Sequence, residues 1–438
     1  MMKTFRIGGI HPAPDKITAG KLIVAVAPSG QLRILLSQSI GAPAKPVVKA
    51  GDTVLPGMMI AEAGGFVSAP VHSPCAGTVA KIEKIRNTKG LWQEAIIINV
   101  DEQADQNVPE RPRTPEEIEA LTADRLIGII SDAGIVGLGG ATFPTRVKLS
   151  VPEGKKAEYI IINGAECEPY LTCDDAIMRI HATEIIRGAE LLKRASGAEH
   201  IIVGIEANKP EAIDAMRQAA AQYAGVDVVK LKMKYPQGSE KQLIDSLTGR
   251  RVPPGKLPID VGCIVDNVAT AFAVYEAVYL GKPLTHRVLT VTGPEVADAG
   301  NFLVPFGLSL ASIIDRAGGL PDDTGKVIAG GPMMGQAVAD LDAPNAKGTS
   351  GILIIPAKMS ERKPTGPCIR CAKCVDACCM GLEPYLLMTL AQNALWEEAK
   401  KHSAMSCLEC GSCSFICPAD RPILDFIKLA KSRIKAMK

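Results

Sequence analysis

Two runs of four cysteines near the end of the chain constrain its fold more than any other feature. The first is CIRCAKCVDACCMG, from Cys368 to Gly381, and the second is CLECGSCSFICP, from Cys407 to Pro418. Both have the spacing Cys-x-x-Cys-x-x-Cys-x-x-x-Cys, which wraps thiolates around one face of an iron-sulfur cube. A disulfide framework or two zinc knuckles are the alternatives, but neither run contains histidine and the N-terminus lacks a secretory segment. The sequence therefore predicts two 4Fe-4S clusters.

The spacing also predicts how the cysteines are shared. In two-cluster ferredoxins, the fourth cysteine of each run binds the other cluster. We therefore expect a first thiol set of Cys368, Cys371, Cys374 and Cys417, and a second thiol set of Cys378, Cys407, Cys410 and Cys413. Pro418 follows the second run in the usual way, whereas Cys379 stands at the matching position of the first. Cys378 and Cys379 therefore compete for one ligand position, and the spacing favours Cys378.

Composition limits what the rest of the chain does. At 438 residues the chain is too long for one core, so we expect several domains. The net charge of +2 and the 4% aromatic content do not suit a nucleic-acid-binding protein. The longest apolar runs have the length of strands and fall short of the roughly 20 residues that span a bilayer. Because the cysteines concentrate in the two runs and no signal segment is visible, we expect a cytoplasmic chain without a transmembrane segment.

The first 100 residues predict a small β domain. Residues 38–100 are short strands punctuated by Gly and Pro, typical of a β-sandwich or flattened barrel. The pattern is similar to the biotinyl/lipoyl-carrier barrel, but the hairpin SAPVHSPCAG has no lysine to modify, which indicates a scaffold. His72 and Cys75 in that hairpin would be able to bind a metal, although such an isolated pair is more often ordinary surface or core.

Three further domains follow a polar linker at residues 101–116. Strands alternate with helices over residues 115–285, which predicts a parallel α/β sheet. Residues 286–345 resemble a compact β-grasp module, and residues 352–438 are expected to contribute one strand and then the helical two-cluster domain. The last helix is basic and amphipathic, so it would lie on anionic lipid, on a partner subunit or, as we prefer, at a solvated face.

Four short motifs in the middle domain point to a ligand site. GLGGATFP follows a helix, NGAECEP follows a buried strand, and YPQGSEKQL and DNVATA each precede a helix. Glycines let backbone N–H groups approach a phosphate closely, and open α/β sheets hold their ligands at strand ends. GLGGATFP alone fits an ordinary turn better than a phosphate site, and its spacing is not that of the dinucleotide fingerprint. The four motifs together predict a phosphate-bearing ligand.

These motifs carry a family resemblance. The middle domain resembles the NADH-oxidising flavoprotein subunit of respiratory complex I, with all four motifs in the same order. The full chain resembles the RnfC family of the Rnf ion-translocating NAD:ferredoxin oxidoreductases, from GGIHP near the start to the two cysteine runs. The resemblance implies an N-terminal barrel-sandwich domain, a Rossmann-like FMN- and NADH-binding α/β domain, a soluble-ligand-binding β-grasp (SLBB) module and a ferredoxin-type domain with two 4Fe-4S clusters.

The resemblance also assigns binding residues. FMN is expected at Gly137, Gly139, Lys148, Asn163, Glu166, Gly238, Asp266, Asn267 and Thr270, and NADH at Gly140, Ala141, Phe143, Glu168, Tyr235 and Glu240. Lys148 would neutralise the FMN phosphate beside the helix that opens at Asn267. Phe143 and Tyr235 would stack on the nicotinamide nucleotide. The carboxylates of Glu168 and Glu240 would accept hydrogen bonds from its ribose hydroxyls. The chain departs from the complex I pattern at Leu138, Ala165 and Ser239.

The function implied is that of a peripheral subunit of a membrane complex. Hydride would move between NAD(H) and FMN, and single electrons between FMN and the two clusters, so no side-chain nucleophile or general base is needed. The resemblance implies a position on the cytoplasmic face of the membrane, with integral-membrane and ferredoxin-binding subunits as partners and ferredoxin as an indirect one. The alternatives are a cobalamin reductase of the same architecture, an adaptor of an amino-acid reductase, and a ferredoxin-type binding module with an inactive flavin domain.

Overall fold

In the computed structural model, which describes residues 2–437, two small antiparallel sheets form the barrel-sandwich domain. The strands of the first 100 residues are β1 (Ile23–Ala25), β2 (Gln31–Leu35), β3 (Lys45–Pro46), β4 (Thr53–Val54), β5 (Met59–Glu62), β6 (Val71–His72), β7 (Gly77–Arg86) and β8 (Trp92–Val100). One sheet has the order β2-β8-β7-β4 and the other β3-β5-β6. His72 and Cys75 are buried between them, and burial raises the pKa of the Cys75 thiol to about 11. Their setting is that of packed core residues.

The middle domain is a four-stranded parallel sheet with helices on both faces, which confirms the predicted fold class. Its elements are α1 (Pro115–Glu119), α2 (Ala123–Asp132), α3 (Thr145–Leu149), β9 (Tyr159–Gly164), α4 (Cys173–Ile180), α5 (Ala182–Ser196), β10 (His200–Glu206), α6 (Pro210–Ala220), β11 (Val226–Leu231), α7 (Glu240–Thr248), a 3-10 helix (Pro258–Val261), β12 (Cys263–Asn267) and α8 (Val268–Tyr279). The sheet order is β11-β10-β9-β12. Isoleucine-rich β9 and β10 are buried, as expected for strands covered on both faces.

The β-grasp domain contains a six-stranded sheet of order β1-β14-β13-β17-β15-β16. Its elements are β13 (His286–Thr292), β14 (Gly300–Pro305), α9 (Leu310–Asp315), β15 (Thr324–Ala329), β16 (Gln336–Ala337) and β17 (Gly351–Pro356). Strand β17 was predicted to open the ferredoxin-type domain, but it lies between β13 and β15 inside this sheet. That placement corrects the predicted boundary, because a central strand takes its domain from its neighbours and not from its position in the chain. Strand β1 joins the same sheet beside β14.

The C-terminal domain is a set of short helices around the cysteine runs. They are α10 (Ala357–Ser360), α11 (Lys373–Asp376), α12 (Pro384–Gln392), α13 (Trp396–Lys401), a 3-10 helix (Ala404–Ser406), α14 (Ser412–Phe415) and α15 (Ile423–Ala436). The apolar face of α15, formed by Ile423, Ile427, Ala430 and Ile434, packs in the core of this domain. That face is therefore not free to enter a lipid surface. Within residues 2–437, no helix combines the length and apolar character needed to cross a bilayer.

Candidate functional site

The four motifs of the middle domain meet at the carboxyl edge of its sheet. Asn267 caps α8 by accepting a hydrogen bond from the Ala269 N–H at 2.8 Å. In the glycine loop, the Leu138 N–H donates to Thr270 Oγ1 at 2.9 Å. A Cβ at Gly139 would lie 3.4 Å from the Asn267 Cβ, so the loop approaches the helix start closely. The exposed glycines of this loop therefore lie at the positive end of a 12-residue helix, as an anion-binding site requires.

The second and third motifs, NGAECEP and YPQGSEKQL, join the same edge. Asn163, at the end of β9, donates from Nδ2 to the Gly238 carbonyl at 2.8 Å. Its own backbone oxygen accepts from Asn267 Nδ2 at 3.4 Å. A Cβ at Gly238 would lie 3.4 Å from the Ala165 Cβ. Because Ala165 is small and buried at this contact, the chain's departure from the complex I pattern at that position is accommodated by close packing of the two loops.

Lys148 and Asp266 form a largely buried ion pair beneath the glycine loop. Lys148 Nζ donates to Asp266 Oδ1 at 2.9 Å and to the Val265 carbonyl at 2.7 Å. Burial raises the pKa of Asp266, and Lys148 opposes that rise. Asp266 Oδ2 is buried without a hydrogen-bond partner among the described residues. A lysine beside a helix N-terminus, exposed glycines and an orphaned carboxylate oxygen suit a ligand that carries a phosphate and hydroxyl donors, and FMN has both.

The loop after β9 is held from two sides by lysines. The carboxylate of Glu166 accepts from the Asp174 N–H at 2.7 Å and the Asp175 N–H at 3.2 Å, at the start of α4. Lys16 donates to the backbone oxygen of Glu166 at 2.9 Å, and Lys209 donates to that of Ala165 at 2.7 Å. Burial raises the pKa of Glu166 to about 7, while Lys16 opposes the rise. The carboxylate of Glu166 is therefore engaged by the helix start, not free in solvent.

The residues predicted to contact NADH divide into two groups. Gly140 and Ala141 are exposed in the glycine loop, Phe143 is half-buried at its end, and Glu240 is exposed in the first turn of α7. The Gly137 N–H donates to the Phe143 carbonyl at 2.9 Å, which closes the loop. This group therefore lines the open side of the site, where a nucleotide has access.

Glu168 and Tyr235 form the other group and face the neighbouring domains. Glu168 accepts from the Met333 and Met334 N–H groups of the β-grasp domain at 3.1 and 2.8 Å. Tyr235 is 2% exposed, and its hydroxyl donates to the Cys410 carbonyl at 2.8 Å. Neither side chain presents a free group to a nucleotide in this arrangement. The geometry favours a role at domain junctions for both, with the β-grasp domain for Glu168 and with the ferredoxin-type domain for Tyr235.

The second thiol set surrounds one cavity. Cys378, Cys407, Cys410 and Cys413 all line it, together with Cys379. Burial raises the pKa of the Cys407 thiol to about 11 and that of Cys413 to about 12. Cluster binding must therefore displace protons from these thiols, because the thiolate is the ligand. The four predicted ligands are brought together, and their sulfur set suits a 4Fe-4S cube.

Cys379 lies beside this set as a fifth thiol. Its hydrogen bond lowers the pKa of Cys410 to about 6 and raises that of Cys379 itself. The Cys379 carbonyl accepts from Gln242 Nε2 of α7 at 3.1 Å. Cys378 Sγ instead accepts from the Leu382 N–H at 3.3 Å, within its own domain. Both cysteines border the cavity, so the choice of Cys378 as ligand stays a prediction.

The first thiol set lies nearer to solvent. Cys368 and Cys371 are exposed, Cys417 is half-buried and Cys374 is buried in α11. Burial raises the pKa of Cys374, with the neighbouring Cys417 adding to the rise. The structure therefore places cysteines of both runs side by side, as the crossed ligand pattern requires.

Sequence reasoning did not identify several residues that hold the site together. They are Lys16, Lys209, Gln242 and Met333. Each acts on a residue far away in the chain, mostly through a backbone oxygen or N–H group that any amino acid provides. Only the position of Lys16 just after GGIHP offered a signal, because that motif belongs to the resemblance.

Four family models match successive parts of the chain. They are an RnfC barrel sandwich hybrid domain at residues 3–103, a Nuo51 FMN-binding domain at 130–276, an SLBB domain at 288–337 and a 4Fe-4S dicluster domain at 367–422. The order is the one expected from the sequence. The chain thus carries domains that bind FMN and two 4Fe-4S clusters, and the residues at both sites fit these groups.

Curated relatives match over nearly the full length. The C subunit of the Na(+)-translocating ferredoxin:NAD(+) oxidoreductase complex of Acetobacterium woodii is 40% identical, covering 99% of this chain and 98% of the relative. The C subunit of the proton-translocating ferredoxin:NAD(+) oxidoreductase complex of Clostridium ljungdahlii is 43% identical, covering 100% and 95%. The C subunit of the ion-translocating oxidoreductase complex of Rhodobacter capsulatus is 40% identical, covering 99% and 84%.

Solved structures share the fold at low identity. An NAD+-reducing [NiFe]-hydrogenase in its H2-reduced state superposes with a TM-score of 0.51 at 20% identity, covering 75% of this chain and 68% of that one. Its air-oxidized state gives a TM-score of 0.53 at 19% identity, with 75% and 72% covered. At this identity the likeness concerns the arrangement of the backbone alone.

Proposed function

The chain belongs to the RnfC family, the C subunits of ion-translocating ferredoxin:NAD(+) oxidoreductase complexes, and on that premise we propose that it is the NAD(H)-oxidoreducing subunit of such a complex. Its activity is to move hydride between NAD(H) and FMN, and single electrons between FMN and two 4Fe-4S clusters. Full-length relatives that are named as C subunits favour this function over a cobalamin reductase of similar architecture.

The observation that carries the proposal is the direct contact between the segment that carries Gly238 and the loops that line the cavity of the second thiol set. Tyr235 and Gln242, on either side of Gly238, donate to the carbonyls of Cys410 and Cys379. FMN, when bound, accepts two electrons as hydride and releases them singly, which is the conversion that such a contact serves. The chain itself binds the cofactors and holds them in position relative to each other.

The roles of the flavin-site residues follow from their geometry. Lys148 and the start of α8 bind the phosphate of FMN, while Asn163 and Asp266 offer hydrogen-bond partners to its ring edge and ribityl hydroxyls. The open glycine loop and Glu240 receive the nicotinamide nucleotide, with Phe143 as the stacking residue. Glu168 and Tyr235 stabilise the junction between domains instead of touching NADH.

The two thiol sets differ in position, and this difference gives electron transfer through the molecule a direction. The second set lies against the flavin domain, whereas Cys368 and Cys371 of the first set are exposed. We assign the first set to exchange with an external partner. The partners are then the integral-membrane and ferredoxin-binding subunits of the complex, with ferredoxin served indirectly, and the chain sits as a peripheral subunit on the cytoplasmic face of the membrane. Release of the chain from isolated membranes by an alkaline wash, without detergent, tests that location.

Anoxically purified protein tests the function. Denaturation should release FMN, iron analysis should return about eight atoms per chain, and NADH should bleach the cluster absorbance. Far fewer iron atoms in carefully anoxic material, or prosthetic groups that NADH leaves unchanged, would refute the proposal.

Lys148→Met tests the flavin site separately. Loss of a charge-assisted contact to phosphate should weaken FMN binding by at least about tenfold, since such contacts contribute roughly 1.5–3 kcal/mol. The matched control is Lys156→Met, whose pair with Glu199 is exposed, and it should bind FMN as the unchanged protein does. Equal affinities for the two variants would remove Lys148 from the site.

A further inference from the structure

The N-terminal segment, residues 3–16, runs between the flavin domain and the second thiol set. It starts at the edge of the parallel sheet, where the Lys232 N–H donates to the Lys3 carbonyl at 3.0 Å beside β11. Arg6 forms an ion pair with Asp245 in α7 and donates to the Gly249 carbonyl at 2.9 Å. The beginning of the segment is therefore fixed to the flavin domain.

The middle of the segment contacts both domains at once. The N–H groups of Ile10 and Tyr235 each donate to the carbonyl of the other at 2.9 Å. The adjacent Gly9 N–H donates to the Ala377 carbonyl at 3.0 Å, one residue before Cys378. Ile10, Tyr235 and Ala377 form a small buried cluster with the Cys410 side chain packed against it. Two adjacent residues thus join Tyr235, the first residue of the YPQGSEKQL motif, to Ala377, the residue before the predicted cluster ligand Cys378.

The glycines of this segment permit an unusually close approach. Gly8 has φ +64°, and a Cβ placed on it would lie 2.4 Å from both the carbonyl carbon and the oxygen of Cys378. Real Cβ atoms do not come within 3.0 Å of such atoms, so any side chain at Gly8 must push the backbone of the ligand loop away. At Gly9, with φ +91°, a Cβ would meet the side chains of Lys234 and Phe5 instead.

The end of the segment binds the flavin loop. Lys16 Nζ donates to three backbone oxygens of the loop after β9: Glu166 and Glu168 at 2.9 Å and Leu171 at 2.5 Å. That loop contains the predicted flavin residue Glu166 and also Cys167, whose Sγ accepts from the Gly238 N–H at 3.3 Å. The same short segment therefore holds the flavin loop at one point and the ligand loop of the second thiol set at another.

We propose that residues 3–16 are a positioning element that fixes the separation between the flavin site and the second thiol set, and that Gly8 sets how closely the two approach. The inference rests on the proposed function, since only electron transfer between the two sites makes their separation matter. Electron transfer slows steeply as donor and acceptor move apart. Displacement of the ligand loop by a side chain at Gly8 should therefore slow the internal transfer while hydride transfer at the flavin continues.

Gly8→Ala tests this inference, with Gly20→Ala as its matched control. Gly20 also has a positive φ, +79°, but a Cβ there would meet nothing within 4 Å. Both variants carry the same backbone strain of about 1 kcal/mol, and only Gly8→Ala displaces the ligand loop. The measurement is anaerobic stopped-flow absorbance after mixing with NADH, which follows flavin reduction and cluster bleaching separately, together with iron and FMN content.

In Gly8→Ala we expect flavin reduction at the unchanged rate and cluster bleaching slower by roughly ten- to a hundredfold, since a misplacement of about 1 Å can cost about a hundredfold in position-sensitive steps. Gly20→Ala should match the unchanged protein in both phases. Equal bleaching rates in the two variants, with clusters and FMN retained, would overturn the inference.

If Gly8→Ala does not retain its clusters, Gly9→Ala replaces it. Its Cβ would meet the Lys234 and Phe5 side chains and not the ligand loop, and the shift would reach that loop through the Gly9 N–H, which donates to the Ala377 carbonyl, so a smaller slowing of the same phase is expected. An unchanged bleaching rate in Gly9→Ala would then overturn the inference. In the unchanged protein, failure of NADH to bleach the clusters at all would refute the proposed function itself, and the two failures are thus distinguishable.

Discussion

The two thiol sets have the same spacing in sequence and different surroundings in the structure. The second set lines a cavity against the flavin domain, and its loops accept hydrogen bonds from Tyr235, Gln242 and Gly9. In the first set, Cys368 and Cys371 are exposed. Spacing therefore predicts which thiols bind iron, while the surrounding domains determine what lies next to each thiol set. The second set, beside the flavin domain, suits exchange inside the chain, and the first set, with two exposed cysteines, suits exchange with another protein.

The largest effect should come from removing one ligand of each set. Cys410→Ser is expected to lower the iron content to about half and to abolish cluster bleaching by NADH, because the centre next to the flavin residues is lost. Cys371→Ser should lower iron similarly but leave the remaining centre reducible by NADH. Iron analysis and anaerobic titration with NADH measure both. If the two variants lose NADH-driven bleaching equally, the two sets are not in the proposed order.

Glu168 accepts a hydrogen bond from the loop at Met333, next to the second set. We expect Glu168→Gln to change the pH dependence of the free energy of unfolding by about 2 kcal/mol. Burial raises the pKa of Glu168 to about 7, above its ordinary value of 4.5. The folded state therefore holds a proton that the unfolded state has released, and stability falls as pH rises from about 4.5 through 7. Glu168→Gln has no carboxylate to titrate and does not lose this stability. Its free energy of unfolding, compared with that of the unchanged protein, should therefore rise by on the order of 2 kcal/mol between about pH 5 and pH 8.

Thermal unfolding under anoxic conditions at those two pH values checks the Glu168 prediction. Glu383→Gln is the control, since Glu383 is exposed beside the first set, and it should change stability by less than about 0.5 kcal/mol at either pH. A Glu168 variant that gains nothing at the higher pH would show that the carboxylate is not held in a desolvated position.

A somewhat smaller effect is expected for the two tyrosines that lie near the sets. Tyr235→Phe leaves the buried Cys410 carbonyl without its donor and should reduce stability by about 1.5 kcal/mol. Tyr385→Phe removes only an exposed hydrogen bond to Glu383, so its effect should be under about 0.5 kcal/mol. Urea unfolding of the oxidised proteins compares them. Equal losses would indicate that the junction at Tyr235 contributes no more than a surface contact.

The smallest effect on stability is expected for two positively charged side chains of the C-terminal domain. Lys431 donates to the Cys407 carbonyl at 2.7 Å and pairs with Glu409 at 2.6 Å, with a largely buried side chain. Arg362 pairs with Asp425 at the surface. Lys431→Met should cost roughly 1 kcal/mol and Arg362→Met less than about 0.5 kcal/mol, because exposed pairs are screened by water and salt. Raising the salt concentration in the same unfolding experiment should abolish only the Arg362 effect.

The sequence predicted the elements whose information is local. Cysteine spacing, helix caps and the alternation of strands with helices depend on neighbouring residues. The parallel sheet appears where it was expected, and the cysteines of the second thiol set line one cavity. The glycine loop and the start of α8 also meet as predicted. These features share one property, which is that residue type alone restricts the local geometry.

The features that the sequence did not predict depend on distant partners. Strand β17 was placed in the wrong domain because its apolar pattern does not reveal which strands flank it. Tyr235 was expected to stack on a nucleotide, yet a ring next to a loop packs against whichever domain covers it, and here that is the Cys410 loop. Lys16 acts on three carbonyl groups that carry no side-chain signature. Such contacts become visible only when the domains are assembled.

The pairing of residues 3–25 with distant parts of the chain has a consequence for folding. Strand β1 pairs with β14, and the Gly9 N–H donates to the Ala377 carbonyl, so this segment has its partners in the β-grasp and ferredoxin-type domains. Closing such long loops is slow, because the chain pays the loop entropy before any contact compensates for it. The contacts inside the barrel-sandwich domain and the parallel sheet close shorter loops. We therefore expect the pairing of residues 3–25 with the β-grasp and ferredoxin-type domains to form late in folding, after the local contacts.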